Sequence, residues 1–288
     1  MQPMVRLRRS ALYMPGANAR ALDKARGLPA DALILDLEDA VAPAAKAEAR
    51  RQVLAALAAG GYGQREVAVR VNGLDTPWGR DDIAAIARAG ADAVVLPKVE
   101  GAAAVADLRQ RLATAGAPAD LALWAMIETP RGVLKAAEIA ESPGLACLVM
   151  GTSDLAKELR ARHTADRQPM LTALSLVLLA ARANRLAVLD GVFLDLRNDA
   201  GFAAACRQGV ELGFDGKTLI HPSQIAAANA AFGPSPEAVA EARRIVAAFA
   251  EVEAAGKGVA VLDGRLIENL HMAEARRLLA LAQAVEDG

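Results

Sequence analysis

The sequence is poor in aromatic residues and in cysteine. Phe, Trp and Tyr together make up 3% of the 288 residues, and Cys147 and Cys206 are the two cysteines, with no CxxC spacing between them. Their number and spacing argue against a disulfide framework and against a thiol-rich zinc site. Unpaired cysteines are typical of a reducing compartment, so we expect the protein to be cytoplasmic.

Long apolar runs and an excess of charge of either sign are also absent. Charged or glycine residues interrupt each apolar run before it reaches the roughly 20 residues of a membrane span. The basic start MQPMVRLRRS has no apolar segment after it, so no signal peptide is expected. With a formal net charge of −1, the chain gives no electrostatic reason to expect a nucleic acid or a membrane as partner.

The sequence is instead rich in short apolar runs that alternate with alanine-rich amphipathic segments. The apolar runs predict strands at residues 10–14, 31–38, 66–71, 91–97, 121–127, 145–150, 186–192 and 214–220. Helical spacing between them predicts helices at residues 18–26, 45–58, 80–89, 105–115, 131–140 and 199–213. This alternation is typical of an α/β fold, and eight such units predict a (β/α)8 TIM barrel. A doubly wound open sheet is the alternative, although no GxGxxG turn follows the first strand.

The alternation stops after residue 225, which divides the chain into a predicted barrel domain at 1–225 and a C-terminal appendage at 226–288. The appendage is predicted to contain a helix at 235–255, a hairpin at 256–268 and a final helix at 269–285. Asp263 and Gly264 are the expected two-residue turn of the hairpin, because an Asp-Gly pair favours a tight turn between two strands.

Chemistry in a TIM barrel is carried by the carboxyl ends of the strands and the loops that follow them. The polar residues at these predicted ends include Tyr13, Asp36, Glu38, Asp39, Arg70, Asn72, Lys98, Glu100, Glu128 and Asp154. No GxSxG turn is present, which argues against a serine hydrolase triad.

Glu128 and Asp154 follow neighbouring predicted strands, so their carboxylates are expected to converge. Carboxylate oxygens suit Mg²⁺, a hard cation that keeps several waters. Helix capping is the alternative, with Thr129 as an N-cap and Asp154 as a first-turn acid. Arg70 has two interpretations as well: it can bind a substrate carboxylate or thioester oxygen, or it can form a structural ion pair with an acid of the second strand.

Seven ordered segments resemble a known family. They are RSALYMPGANARALDKA, LILDLEDAV, VAVRVNG, VVLPKVEG, MIETPRGVL, MGTSDLAKEL and LIHPSQI. Together they resemble the citrate lyase β-subunit-like branch of the HpcH/HpaI aldolase superfamily, which includes malyl-CoA and citramalyl-CoA lyases. The resemblance covers nearly the whole chain and implies a TIM barrel with a C-terminal appendage that serves as a lid or oligomerisation element.

The resemblance also implies a set of site residues. It places Mg²⁺ or Mn²⁺ on Glu128 and Asp154, and the substrate on Arg70 together with these two acids. Backbone N–H groups of Gly151, Thr152, Ser153 and Asp154 are expected to hold a carboxylate of the substrate. Catalytic roles fall on Arg70, Asp36, Glu38 and Glu268, and the coenzyme A part of the substrate falls near Tyr13, Pro15, Arg20 and Lys24.

The function implied by the resemblance is a Mg²⁺-dependent carbon–carbon lyase of the oxo-acid-lyase type. It would cleave a 3-hydroxyacyl-CoA of the malyl or citramalyl kind into an acyl-CoA and a 2-oxo acid. A homotrimer or homohexamer is expected, in which the C-terminal segment reaches a neighbouring subunit. The alternatives are a malyl-CoA-type thioesterase, a citrate lyase β subunit acting on a citryl-acyl carrier, a pyruvate aldolase, and a non-catalytic binding protein on the same fold.

One departure from the family concerns the C-terminal segment. Lyases of this family often carry aspartate after Met-Ile or Met-Val at this place, whereas this chain has Leu266-Ile267-Glu268. Glu268 keeps the carboxylate but is longer by one methylene. Since a displacement of about 1 Å in a catalytic group can lower the rate about 100-fold, the departure bears on the reaction more than on the fold.

Overall fold

The barrel is closed by eight parallel strands that follow one another in chain order. The structure is a computed structural model that describes residues 6–254 and 259–287. Each strand pairs with the next and β8 pairs with β1, which confirms the predicted TIM barrel and excludes the doubly wound sheet. The strands are β1 Ser10–Pro15, β2 Ala32–Asp36, β3 Glu66–Arg70, β4 Ala93–Leu96, β5 Ala122–Ile127, β6 Leu145–Met150, β7 Ala187–Asp190 and β8 Gly216–Leu219.

Small and branched side chains fill the inside of the barrel. Ile34, Val95, Val149 and Leu189 come from four different strands and pack there around Trp124, which is completely buried. Residues that alternate with these point outward to the helices, so both faces of each strand are covered. This double burial is why the strands read as continuous apolar runs in the sequence.

The helices around the barrel agree with the predicted ones except in three places. They are α1 Ala19–Lys24, α2 Lys46–Ala59, α3 Gly79–Ile86, α4 Ala102–Thr114, α5 Pro130–Leu134, α6 Ala136–Ala140, α7 Thr152–Leu159, α8 Leu171–Ala183 and α9 Asp199–Leu212. The single helix predicted at 131–140 is two short helices, which separate where Lys135 leaves helical geometry with ψ 11°. Helix α7, at residues 152–159, was not among the helices predicted from spacing. Helix α8 was not predicted, because its sequence LTALSLVLLAARA is apolar on nearly every side and hides the helical period.

The chain forms two compact units, one from Arg8 to Ala228 and a second that contains the described residues from Asn229 onward. Helix α10 (Ile225–Phe232) includes the point where one gives way to the other. The second unit contains helices α11 (Pro236–Ala254) and α12 (Asn269–Asp287).

A small hairpin accompanies the two C-terminal helices. It consists of β9 (Ala260–Leu262) and β10 (Arg265–Ile267), and a local core of Phe249, Ala260, Ile267 and Met272 joins it to α11 and α12. The turn residues Asp263 and Gly264 have φ of 48° and 75°, the left-handed conformation expected of an Asp-Gly turn. Residues 255–258 of the predicted helix and hairpin lie outside the described residues.

None of the helices in the described part of the chain combines the length and the apolar character needed to cross a bilayer.

Candidate active site

Arg70 is the central cation at the carboxyl end of the barrel. It ends β3 beside Asp36, the last residue of β2, and the two residues pair across the strands. The guanidinium donates to both carboxylate oxygens of Asp36, from Nε at 2.7 Å and from Nη2 at 2.5 Å. Its central carbon lies 4.8 Å from the centre of the Tyr13 ring. This two-point bond and the aromatic ring fix the plane of the guanidinium.

Asp36 is completely buried and is saturated with hydrogen bonds. Besides Arg70, it accepts the backbone N–H groups of Glu38 at 2.9 Å and Ala40 at 3.1 Å. A carboxylate with this many donors has little capacity to meet a substrate. Its contacts suit a residue that positions Arg70 and the start of the following loop.

Glu38 is the second acid on Arg70, and it shares its carboxylate between two cations. Oε1 accepts the ammonium of Lys98 at 2.6 Å, and Oε2 lies 2.9 Å from Nη1 of Arg70 without an aligned hydrogen bond. Burial raises the pKa of Glu38, and the charges of Arg70 and Lys98 only partly offset this. Asp39 is largely exposed and lies 3.7 Å from Arg70.

Buried side chains donate hydrogen bonds to the backbone of this acidic segment. The Lys46 ammonium donates to the carbonyl oxygens of Leu37 at 2.9 Å and Glu38 at 2.8 Å. The Asn72 amide donates to the same Leu37 oxygen and to Asp82. The three acids in LILDLEDAV therefore form a rim of the site whose backbone is held in place by the buried side chains of Lys46 and Asn72.

Glu128 follows β5 and is buried, with 3% of its surface exposed. Its Oε1 accepts the backbone N–H of Lys98 at 2.8 Å. Burial and the negative charge of Glu38 raise the pKa of Glu128 to about 7, although the Lys98 N–H opposes the shift. Thr129, the next residue, caps α5 by accepting the N–H of Gly132 at 3.0 Å, so capping belongs to Thr129 and leaves Glu128 free for the site.

Gly151 provides the room that the Glu128 carboxylate occupies. A β-carbon on Gly151 would lie 2.4 Å from both Cβ and Oε2 of Glu128. We therefore expect Gly151→Ala to displace the carboxylate and lower kcat/KM by about 100-fold. Gly27→Ala is the matched control, because a β-carbon there meets nothing within 4 Å. Steady-state kinetics of the two variants would contradict this role if both kept full activity.

Asp154 lies in the first turn of α7, and its carboxylate comes within 3.5 Å of the Lys98 ammonium. Glu128 and Asp154 thus both contact Lys98. Among the described residues, no group of three or more His, Cys, Asp and Glu side chains is gathered as a metal site. Two carboxylates still fit Mg²⁺, which commonly takes one or two protein carboxylates and completes its shell with water and substrate oxygens. The donors are hard oxygens, and the absence of a side chain at Gly151 leaves room for the Glu128 carboxylate.

The remaining predicted substrate and coenzyme residues occupy three different places. The backbone N–H of Gly151 donates to the carbonyl oxygen of Ile127 at 3.0 Å. Thr152 and Ser153 begin α7, and the first N–H groups of a helix have no partner within it. Arg20 and Lys24 are exposed and lie one turn apart on α1, and Pro15 ends β1. Tyr13 packs beside Arg70. The binding roles of these residues stay predictions.

Glu268 directly follows β10 and is exposed. Its backbone N–H donates to Nδ1 of His271 at 3.0 Å, which orders the start of α12. Its predicted role in a neighbouring subunit stays a prediction.

Lys98 is among the polar residues at the predicted strand ends, but no role in the site was predicted for it. The sequence places it after β4, but its role depends on a left-handed backbone, with φ 51°, which local sequence does not indicate. Partial burial lowers the pKa of Lys98, but the hydrogen bond to Glu38 and the surrounding carboxylates outweigh this and raise it. A lysine directly after a strand that ends in Leu-Pro, facing two acidic strand ends, is the signal that could have identified it.

Comparison with known proteins agrees with this fold. The HpcH/HpaI aldolase/citrate lyase family model matches residues 9–222. The (3S)-malyl-CoA thioesterase of Cereibacter sphaeroides is 54% identical over 277 residues, covering 96% of this chain and 95% of the relative. Citrate lyase subunit beta of Escherichia coli is 38% identical over 288 residues, covering 98% and 95%.

A solved relative extends the comparison to ligands. The CitE protein of Mycobacterium tuberculosis, in complex with magnesium, acetoacetate and coenzyme A, is 32% identical and superposes with a TM-score of 0.78 over 95% of this chain and 97% of that one. The chain belongs to the HpcH/HpaI aldolase/citrate lyase family. It is an enzyme of the superfamily that contains citrate lyase and malyl-CoA lyase, which confirms the resemblance, whereas the reaction class stays a prediction.

Proposed function

We propose that this enzyme hydrolyses the thioester of a malyl-CoA-type 3-hydroxyacyl-CoA to the free acid and coenzyme A. The observation that carries the proposal is the 54% identity to a (3S)-malyl-CoA thioesterase over 96% of the chain. The cations Arg70 and Lys98 in the site support it, because they suit a substrate with a carboxylate and a polarised carbonyl.

Arg70 is proposed to bind an oxygen of the substrate. Asp36 holds the guanidinium from the side of Nε and Nη2, so the cation is in place before the substrate arrives. A preorganised cation in a site shielded from water stabilises charge that develops on a carbonyl oxygen. Nη1 of Arg70 makes no bond to Asp36 and lies beside Glu38 instead.

Glu128 and Asp154 are proposed to hold Mg²⁺ or Mn²⁺, which would supply Lewis-acid polarisation of a substrate oxygen. This assignment is supported by the oxygen donors of the pair and by the magnesium in the related CitE structure. Glu38 is proposed to take the proton of the attacking water, since its Oε2 has an ion pair with Arg70 but no aligned hydrogen bond. The water oxygen forms a bond to the thioester carbonyl carbon, the C–S bond breaks, and the proton taken by Glu38 passes to the sulfur, which leaves as the thiol of coenzyme A.

The coenzyme part of the substrate is proposed to lie along the first βα unit. Arg20 and Lys24 present two exposed cations on one side of α1, and they suit the phosphates of coenzyme A. Coenzyme A in the related CitE complex supports binding of this kind of ligand.

The C-terminal unit is proposed to act as a lid or oligomerisation element in a homotrimer or homohexamer in the cytoplasm. Val261 and Leu266 pair across the hairpin, and both are exposed, at 69% and 53%. Two large apolar side chains side by side on an outer face favour contact with another surface. Glu268 is two residues after Leu266. It would therefore move with the hairpin to the site of a neighbouring subunit.

Product analysis tests the proposed reaction. With (3S)-malyl-CoA and Mg²⁺, we expect malate and free coenzyme A in equal amounts. A thiol reagent measures the free coenzyme A, and chromatography measures the malate. Glyoxylate with acetyl-CoA as the only products would contradict hydrolysis.

Cleavage of the carbon–carbon bond is the second candidate function. It is favoured by the 38% identity to citrate lyase subunit beta and by the carboxylate that Glu268 retains at the end of the hairpin. The product assay separates the two reactions, because a lyase yields an acyl-CoA and a 2-oxo acid whereas hydrolysis leaves the carbon skeleton intact.

A further inference from the structure

Lys98 touches each of the three acids that surround the proposed metal position. Its ammonium bonds to Glu38 at 2.6 Å and lies 3.5 Å from Asp154, and its backbone N–H bonds to Glu128 at 2.8 Å. The acids reach Lys98 from the ends of three different strands. One residue therefore holds the acidic cluster together through both its side chain and its main chain.

Lys98 contacts the three acids from an unusual backbone conformation. Its φ of 51° lies in the left-handed region, which is unfavourable for a residue with a β-carbon. Surrounding contacts must hold such a conformation, and it is concentrated at functional sites. Here it brings the Lys98 N–H to Glu128 while the side chain turns toward Glu38 and Asp154.

An ammonium and a divalent ion on the same Asp154 carboxylate repel each other. A metal ligated by Asp154 would lie about 2 Å from its oxygen, and the Lys98 ammonium lies 3.5 Å from Oδ2 of the same carboxylate. Like charges this close repel strongly at the edge of a protein. The Lys98 side chain is 46% exposed, so it has room to withdraw.

We propose that Lys98 is a tethered counter-cation that neutralises Glu38 and Asp154 in the metal-free enzyme and competes with the divalent ion for Asp154. Lys98 is thus a positioning residue that keeps the acidic cluster compact before the metal arrives. When the metal binds, the ammonium moves away from Asp154 and its charge becomes free for an anionic group of the substrate. This inference rests on the proposed metal pair.

Binding of Mn²⁺ alone to the metal-free protein tests the competition without any turnover. Metal is removed with a chelator, the chelator is washed out, and Mn²⁺ is titrated while the free ion is followed by electron paramagnetic resonance. We expect Lys98→Met to bind Mn²⁺ about tenfold more tightly than the wild type, since one close positive charge has been removed. Lys98→Arg, which keeps the charge, is expected to stay within about twofold of the wild type.

Two further variants separate charge from backbone effects. Lys98→Gly removes the ammonium and also accepts the left-handed φ, so it is expected to fold and to bind Mn²⁺ more tightly even if Lys98→Met folds poorly. Lys135→Met is the matched control, because Lys135 has a similar side-chain exposure of 47% and an ion pair with Glu138 at 3.5 Å. It is expected to leave Mn²⁺ binding unchanged.

The outcomes distinguish the inference from the proposed function. Wild-type protein that binds Mn²⁺ no better than Glu128→Gln overturns the metal site and this inference with it. Wild-type protein that binds Mn²⁺, loses it in Glu128→Gln, and shows equal or weaker binding in both Lys98→Met and Lys98→Gly overturns the competition alone.

Discussion

Glu128→Gln is expected to abolish Mn²⁺ binding and to lower kcat/KM by about 10³-fold or more. Glutamine preserves the size of the side chain and still accepts the Lys98 N–H, which Glu128 accepts at 2.8 Å. It removes the negative charge that a hard divalent cation requires. If the metal supplies several kcal/mol of stabilisation to the transition state, the loss corresponds to three or more powers of ten in rate.

A second acid serves as the control for this experiment. Glu138 lies on the outer helix α6, where it pairs with Lys135 and accepts the N–H of Ala102. Glu138→Gln changes the net charge by the same amount and is expected to leave Mn²⁺ binding and kinetics unchanged. Equal activity in the two variants would show that Glu128 holds no metal needed for turnover.

Asp190→Asn is expected to destabilise the protein by about 3–5 kcal/mol, because it leaves the buried Lys217 and the partly buried Arg167 without a counter-charge. Asp190 ends β7 and is completely buried, with Lys217 and Arg167 each 2.7 Å from its carboxylate. Lys217 is itself 1% exposed. Urea unfolding followed by circular dichroism measures the change.

The pH dependence of stability provides a second measurement on the same variant. Burial raises the pKa of Asp190, but the charges of Lys217 and Arg167 outweigh it and hold the pKa below its ordinary value. The unfolded chain therefore takes up a proton near pH 4 while the folded protein keeps the carboxylate ionised. Wild-type stability should fall as the pH drops below about 4, and the contribution of this group to that fall should be missing in Asp190→Asn.

An exposed pair is the matched control for Asp190. Asp107 bonds to Arg111 one turn along α4, and both side chains are about two-fifths exposed, at 42% and 39%. Asp107→Asn is expected to change stability by at most about 1 kcal/mol. An Asp190→Asn effect no larger than that of Asp107→Asn would contradict a structural role for the buried triad.

The barrel and the location of its acids could be predicted from the sequence because both depend on local pattern. A strand buried on both faces reads as an apolar run, and the first charge after the run marks the end of the barrel. Asp36 and Glu38 are two residues apart, the spacing of side chains on one face of a strand, and both contact Arg70.

The face of the sheet on which the side chains of Asp190 and Lys217 lie could not be predicted in the same way. Asp190 ends β7 and Lys217 lies within β8. Leu189, the neighbour of Asp190, points into the barrel, so Asp190 points outward to the helices and joins Arg167. Which face a strand-end residue takes depends on a register that emerges only when the barrel closes.

The hydrogen bonds that hold the backbone of the acidic segment could not be predicted from the sequence either. Lys46 lies in α2, and nothing in its neighbourhood indicates that its ammonium reaches the carbonyl oxygens of Leu37 and Glu38. Bonds from a side chain to a distant main chain carry no sequence period, so they become visible only in three dimensions.

The scarcity of aromatic residues makes the enzyme suited to fluorescence. Trp124 lies completely buried inside the barrel, and its emission reports on closure of the β-sheet. Trp78 is half-buried, and its ring centre is 5.2 Å from Nζ of Lys46, the lysine that holds the acidic segment. The two indoles are thus built-in optical probes of separate events, and replacing either one by phenylalanine lets the other be observed alone.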